Sequence, residues 1–200
     1  GYTINMEQSN YIENSQGTNI NFIQLETIRL ILTGISHQDM KQEFDKLPKS
    51  EIKQILGHRS EDEFLKEEQK HKNGYSSYNR RFILFLLKDK ESGKIIGRCG
   101  LHNWNDEHKR AEIGYVMEDE GFKQKGLMSE AVKSIIKYGF HQLRLNRIEA
   151  LVGIDNVPSI KILAKNKFKN EGILKQHFCV AENYTDSIIC AILRNEYASS

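Results

Sequence analysis

Two prolines, one tryptophan and three cysteines in 200 residues leave few means of building several common architectures. Cys99, Cys179 and Cys190 are odd in number and show no CxxC spacing. Neither a disulfide framework nor a thiolate metal cluster is expected, and free thiols suit a reducing cytoplasm. No apolar run approaches the ~18 residues of a membrane span. The first residues lack a basic stretch followed by an apolar one, so no secretory signal is expected. Net charge is only +2, which argues against nucleic acid or an anionic membrane as partner. His58, His71, His108, His141 and His177 show no metal-ligand spacing, and no metal is expected. Both G-x-G-x-x-G and G-x-x-x-x-G-K-[ST] are absent, which excludes the two common phosphate-loop signatures.

What is present reads as alternating short strands and amphipathic helices. Residues 1–20 are rich in Asn, Gln, Ser and Gly without Lys or Arg, and are expected to form a flexible arm. Residues 21–200 are expected to form one α/β domain. Phe22 to Leu32 alternates as a strand would, and Ser36 with Asp39 opens a polar helix. Ser60 with Glu63 is the capping box of a second helix. Arg81–Lys88 is an apolar strand whose partner, Lys94–Leu101, returns across Asp89–Gly93. Ala111–Met117 makes a further strand. Ala131, Val132, Ile135, Ile136, Phe140 and Leu143 then form the buried stripe of a helix over 127–143. Arg147–Ile154, a helix from Pro158 to Asn166, Phe168–Leu174 and Thr185–Arg194 complete the pattern.

The chemistry concentrates where a strand ends, a short basic loop follows, and the 127–143 helix begins. The first turn of a helix leaves backbone N–H groups unpaired, and its dipole favours an anion. Gly126 lets the backbone approach a ligand, while Lys123 and Lys125 add positive charge. These are the parts of a pyrophosphate cradle, although a glycine before a helix is by itself ordinary.

Lys123-Gln124-Lys125-Gly126-Leu127-Met128 resembles the acyl-CoA signature [QR]-x-x-G-x-[GA] of the GNAT superfamily, and Ser129-Glu130-Ala131 continues as in its RimJ/RimL-like branch. Three further segments resemble that branch in the same order: Leu25-Glu26-Thr27-Ile28-Arg29-Leu30-Ile31-Leu32, Ala111-Glu112-Ile113-Gly114-Tyr115, and Asn146-Arg147-Ile148-Glu149-Ala150 with Asn156, Ser159 and Lys165-Asn166-Lys167-Phe168. Lys123, Met128 and Lys167 depart from the pattern. Met128 sets bulk where the phosphates are expected, and Lys167 stands where a glycine is usual.

The resemblance implies a three-layer GNAT-like α/β (α+β) fold. Its central sheet is mixed, mostly antiparallel, with about six or seven strands flanked by about four helices. It implies acetyl-CoA as co-substrate and a primary amine as acceptor, either a protein N-terminus or a small molecule. Val116 and Met117 would receive the pantetheine arm. The stretch Lys123, Gln124, Lys125, Gly126, Leu127, Met128 and Ser129 would hold the pyrophosphate. Asn156, Ser159 and Lys165 would line the far side.

Glu112 is the candidate base, against the alternatives of a strand carboxylate paired with Lys109 or Arg110 and of a water chain. Glu130, in a first helical turn, reads as structural. The tyrosine that many family members place seven residues after the asparagine is replaced here by Leu163, so Ser159 is the candidate acid, or else a helix-entry serine. His102, Asn103 and Trp104 offer a rim that could orient an amine. The acceptor is expected to depend on the early helices and residues 74–80, and a homodimer is compatible with exposed sheet edges. The competing reading is an acyl-CoA-binding sensor of the same fold without catalysis.

Overall fold

The computed structural model describes residues 10–13, 19–73 and 81–198. Residues 1–9, 14–18 and 74–80 fall outside it, and with them most of the expected arm and the loop tied to acceptor choice. The parts of residues 1–20 that are described are strands: β1 (Asn10–Glu13) and the start of β2 (Asn19–Glu26).

The single strand expected over 22–32 is two. Thr27 breaks it, its N–H donating to the Leu30 carbonyl at 2.9 Å while its hydroxyl accepts from the Leu30 N–H at 3.0 Å. This local side-chain turn competes successfully with strand continuation. The chain reverses, and β3 (Leu30–Ser36) runs back along β2. Ser36 then caps α1 (His37–Lys46) in a full capping box with Asp39. Helix α2 (Lys49–Leu56), too short and polar to stand out in sequence, ends on left-handed Gly57 and leads to α3 (Glu61–Asn73).

The expected hairpin is β4 (Ile83–Asp89) and β5 (Ile95–Asn105), closed where the Ser92 N–H donates to the Asp89 carboxylate at 2.7 Å. Then follow β6 (Arg110–Met117), α4 (Leu127–His141), β7 (Arg147–Gly153), α5 (Val157–Lys165), β8 (Lys169–Val180), β9 (Asn183–Leu193) and the short α6 (Arg194–Ala198).

Among the described residues the strands form one nine-stranded sheet in the order β1-β2-β3-β4-β5-β6-β7-β9-β8. All its pairings are antiparallel except β6 with β7. The sheet exceeds the expected six or seven strands because β2–β3 is a hairpin and β1 adds an edge.

Strand alternation sorts the core into two layers. Ile83, Phe85 and Leu87 of β4 pack with Ala131, Val132, Ile135 and Phe140 of α4. Leu84 and Leu86 face the other way, toward Met40, Ile52, Leu56 and Phe64 of α1–α3. The fold is therefore three-layered, with α4 and α5 on one face and α1–α3 on the other.

Candidate active site

The parallel pairing of β6 and β7 is short. Arg110, Ala111 and Glu112 align with Arg147, Ile148 and Glu149, and the register ends there. Ile113 to Met117 stays paired with β5 on one side only, so its other edge is open. Glu112 marks the vertex where the two strands part. An open strand edge offers backbone N–H and C=O groups to any extended amide-bearing chain laid beside it. Val116, exposed, and Met117, half-buried, lie at the far end of this opening.

Beyond β6, a 3-10 turn (Glu120–Phe122) leads to the mouth of α4. Gln124 (φ 60°) and Gly126 (φ 75°) are both left-handed, a backbone alternation that turns successive N–H groups to one side. The first helical hydrogen bond runs from the Glu130 N–H to the Gly126 carbonyl at 3.1 Å. The N–H groups of Leu127, Met128 and Ser129 thus lack acceptors one turn back, and Gly126 brings no side chain over them. The bulk expected at Met128 does not fill this mouth. Met128 is 6% exposed and belongs to the core that α4 forms against the sheet. The residues present therefore fit a diphosphate: free N–H donors, a helix dipole and a glycine that leaves space. Lys123 turns outward to Glu120 at 2.6 Å, and Lys125 lies 5.4 Å over the Phe122 ring.

A clamp that sequence reasoning did not assign holds this loop. The Arg29 guanidinium donates through Nη1 to the Lys125 carbonyl at 2.8 Å and through Nε to Glu130 Oε1 at 3.1 Å. Glu130 Oε2 also accepts from the Thr27 hydroxyl at 2.6 Å and from the Arg29 N–H at 3.0 Å. Burial tends to raise the Glu130 carboxyl, but these donors hold it below the ordinary carboxylate range. The β2–β3 turn is thereby tied to both ends of the cradle. The only trace of it in sequence was Thr27 and Arg29 standing together in the motif that contains the turn.

At the vertex, Glu112 is largely buried. Its Oε2 accepts from Asn103 Nδ2 at 2.9 Å, and His102 Nε2 is 3.3 Å from Oε1. Burial pushes the carboxyl up, and the His102 and Asn103 contacts, with His177 nearby, hold it below the usual range. Glu149, in register with Glu112, is paired with Arg147 at 2.8 Å. His177 Nδ1 meets the buried Ser187 hydroxyl at 3.0 Å.

Across the opening, Asn156 caps α5, its side chain accepting from the Ser159 N–H at 3.3 Å. Lys165 is exposed at the far end of the same helix. The Tyr115 hydroxyl donates to the Ser159 carbonyl at 3.3 Å, and burial pushes its phenol up to about 12. Leu163, at the position where a hydroxyl is absent, is in the core. The structure thus places Glu112 where β6 and β7 part, Tyr115 against the α5 entrance and the α4 mouth beyond the end of β6. Among the described residues no group of three or more His, Cys, Asp or Glu converges as metal ligands. No helix among them is long and apolar enough to cross a membrane.

The acetyltransferase (GNAT) domain model matches residues 29–169. The N-acetyltransferase p20 of Bacillus licheniformis is 42% identical over 114 residues, covering 57% of this chain and 64% of that protein, just under two thirds of its length. The N-acetyltransferase YoaA of Bacillus subtilis is 32% identical over 154 residues, covering 76% of this chain and 86% of that protein. In structure, the spermidine/spermine N-acetyltransferase SpeG of Vibrio cholerae superposes with a TM-score of 0.62 at 21% identity, over 86% of this chain and 96% of that one.

Proposed function

The chain belongs to the GNAT acetyltransferase family, and we propose that it is an acetyl-CoA-dependent N-acetyltransferase in which a primary amine attacks the thioester directly in a ternary complex. The observation that carries this reading is the alignment of two features: the open β6 edge from Ile113 to Met117 and the unpaired N–H groups of the α4 mouth. The first suits an amide-bearing arm and the second a diphosphate, and together they orient the thioester toward the vertex. In this reading Val116 and Met117 flank the arm, and the stretch Lys123–Ser129 holds the diphosphate through its backbone. Asn156, Ser159 and Lys165 border the opposite wall.

Three tasks remain for the protein: taking the ammonium proton, stabilising the oxyanion, and returning a proton to the thiolate. The cluster around Glu112 carries the base side, supported by its place at the vertex. A backbone N–H of the open β6 edge serves the oxyanion. Ser159 serves the thiolate, with the Tyr115 hydroxyl beside it. We place the chain in the RimJ/RimL-like branch on Leu25–Leu32, Ala111–Tyr115 and Asn146–Ala150. Its acceptor is then a protein N-terminus or a small amine. Residues 21–200 act as one domain, and the free thiols suit a reducing cytoplasm. The exposed Ile173 and Val180 on edge strand β8 support a homodimer.

The test has two steps. Acetyl-CoA at about 100 times its Kd is expected to stabilise the fold by about 2.7 kcal/mol in thermal melts, with no shift from NAD or ATP. Free-thiol release is then followed with spermidine and with alanine-initiated peptides. No melting shift at saturating acetyl-CoA would remove the reading.

A further inference from the structure

In a regular strand, neighbouring side chains point to opposite faces. His102 and Asn103 are neighbours on β5, yet both reach the same carboxylate, Glu112, at 3.3 and 2.9 Å. A register break between His102 and Asn105 and a left-handed Asn103 (φ 48°) make this possible. A non-glycine residue in that region is strained, and such bulges re-aim side chains at functional sites. Gly114 completes the arrangement. A Cβ there would stand 3.0 Å from His102 Cε1 and 3.6 Å from Nδ1. The imidazole therefore lies over Gly114, at the start of the open β6 edge.

Which member of the cluster meets the acceptor follows from exposure and from donor and acceptor roles. The Glu112 side chain is 15% exposed and the His102 side chain 37%. Both carboxylate oxygens have partners, one His102 and the other Asn103. An ionised carboxylate only accepts, so His102 Nε2 carries hydrogen toward it and the lone pair is left on Nδ1, the atom over Gly114. A carboxylate held below its ordinary range is also a weakened base. His177 on β8 acts on Glu112; Glu149, in register with Glu112, is tied to Arg147; and Arg81, over Trp104 two residues along β5, is paired with Asp106.

We propose that His102 Nδ1 is the atom that takes the proton from the acceptor ammonium, with Glu112 and Asn103 as positioning residues that fix the ring and its tautomer. This rests on the amine acetyl transfer proposed above. The ammonium gives one proton to Nδ1, and the freed nitrogen pair forms the C–N bond as the carbonyl pair moves to oxygen. That pair returns, the C–S bond breaks, and sulfur leaves with its electrons. The second N–H proton ends on the thiolate, and His102 releases the first to solvent. The products are an amide, a free thiol and one proton.

The test measures the pH dependence of kcat/KM with spermidine and an alanine-initiated peptide, with acetyl-CoA affinity by calorimetry alongside. His102→Gln is expected to lower kcat/KM about 100-fold or more and to abolish the acidic limb, with acetyl-CoA affinity unchanged. Glu112→Gln is expected to lower the rate while keeping that limb. Added imidazole is expected to restore activity to His102→Ala, which guards against a merely misfolded variant. The opposite pattern, a limb lost in Glu112→Gln and kept in His102→Gln, would overturn the proposal in favour of Glu112 as base. A wild-type chain that binds acetyl-CoA but releases no thiol with any amine would instead overturn the transfer reading on which it rests.

Discussion

Glu43 is the residue whose chemistry is most at odds with its surroundings. It lies on α1 with no exposed surface, and neither carboxyl oxygen has a hydrogen-bond partner. Burial first, then the carboxylates of Asp39 and Glu67, push its pKa up to about 8. The folded chain therefore holds a proton on Glu43 at pH values where the unfolded chain, titrating near ~4.3, has lost it. Stability from this group is complete below the unfolded pKa and is lost as pH rises through about 8. Glu43→Gln, which stays neutral, is expected to gain at least ~1 kcal/mol at pH 8.5 and to change little at pH 4. Thermal melts at the two pH values check it, and an equal effect at both would refute it. Nothing in the residues around Glu43 announced this, because burial is a property of the assembled core. Lys167 was legible: the expected glycine position is left-handed here too (φ 66°), and the lysine accepts the strain.

At the scale of elements, the cradle and its clamp differ in how visible they were. The strand–loop–helix order and Gly126 identify the turn into α4 locally, since every part lies within a few residues. The clamp joins Thr27 and Arg29 to Glu130 across about a hundred positions, and the motif gave no reason to pair them. Arg29→Ala is expected to raise KM for acetyl-CoA about tenfold, the worth of one charged hydrogen bond, while kcat at saturation stays within about twofold. Lysine should not restore it, because a point charge cannot reach the Lys125 carbonyl and Glu130 together. Steady-state kinetics of Arg29→Ala and Arg29→Lys decide this, and an unchanged KM would show that the loop holds its shape unaided. The splay beyond Glu112 is set by long-range pairing, and the end of the β6–β7 register gives it its location.

At the scale of the molecule, one buried ion pair connects the layers. Arg98 on β5 forms a bidentate pair with Glu67 on α3 at 2.9 and 3.0 Å and donates to the Leu56 carbonyl at 3.1 Å, while His58 adds a contact to Glu67 at 2.8 Å. Burial would raise the Glu67 carboxyl, yet His58 and Arg98 bring it down to about 2. Glu67→Ala removes the bidentate partner of a largely shielded guanidinium, leaving it Glu118 at 3.3 Å, and is expected to cost about 1–3 kcal/mol in urea unfolding. Replacing Glu67 and Arg98 together by Leu and Met should cost less, since no half-paired guanidinium then remains under α3. A double variant as unstable as the single one would contradict this account.

Hydrophobic periodicity, caps and turn residues are local, so the sequence by itself determined most elements and the strand–loop–helix turn at Gly126, and the resemblance supplied the three-layer class. It misread the Thr27 turn as strand because alternation continues through it, and it did not find α2, whose pattern is too short. Only the tertiary structure decided where β6 and β7 part, which donors surround Glu112, and that Arg29 grips the loop. Those features depend on register and long-range side-chain contacts, which no window of sequence contains.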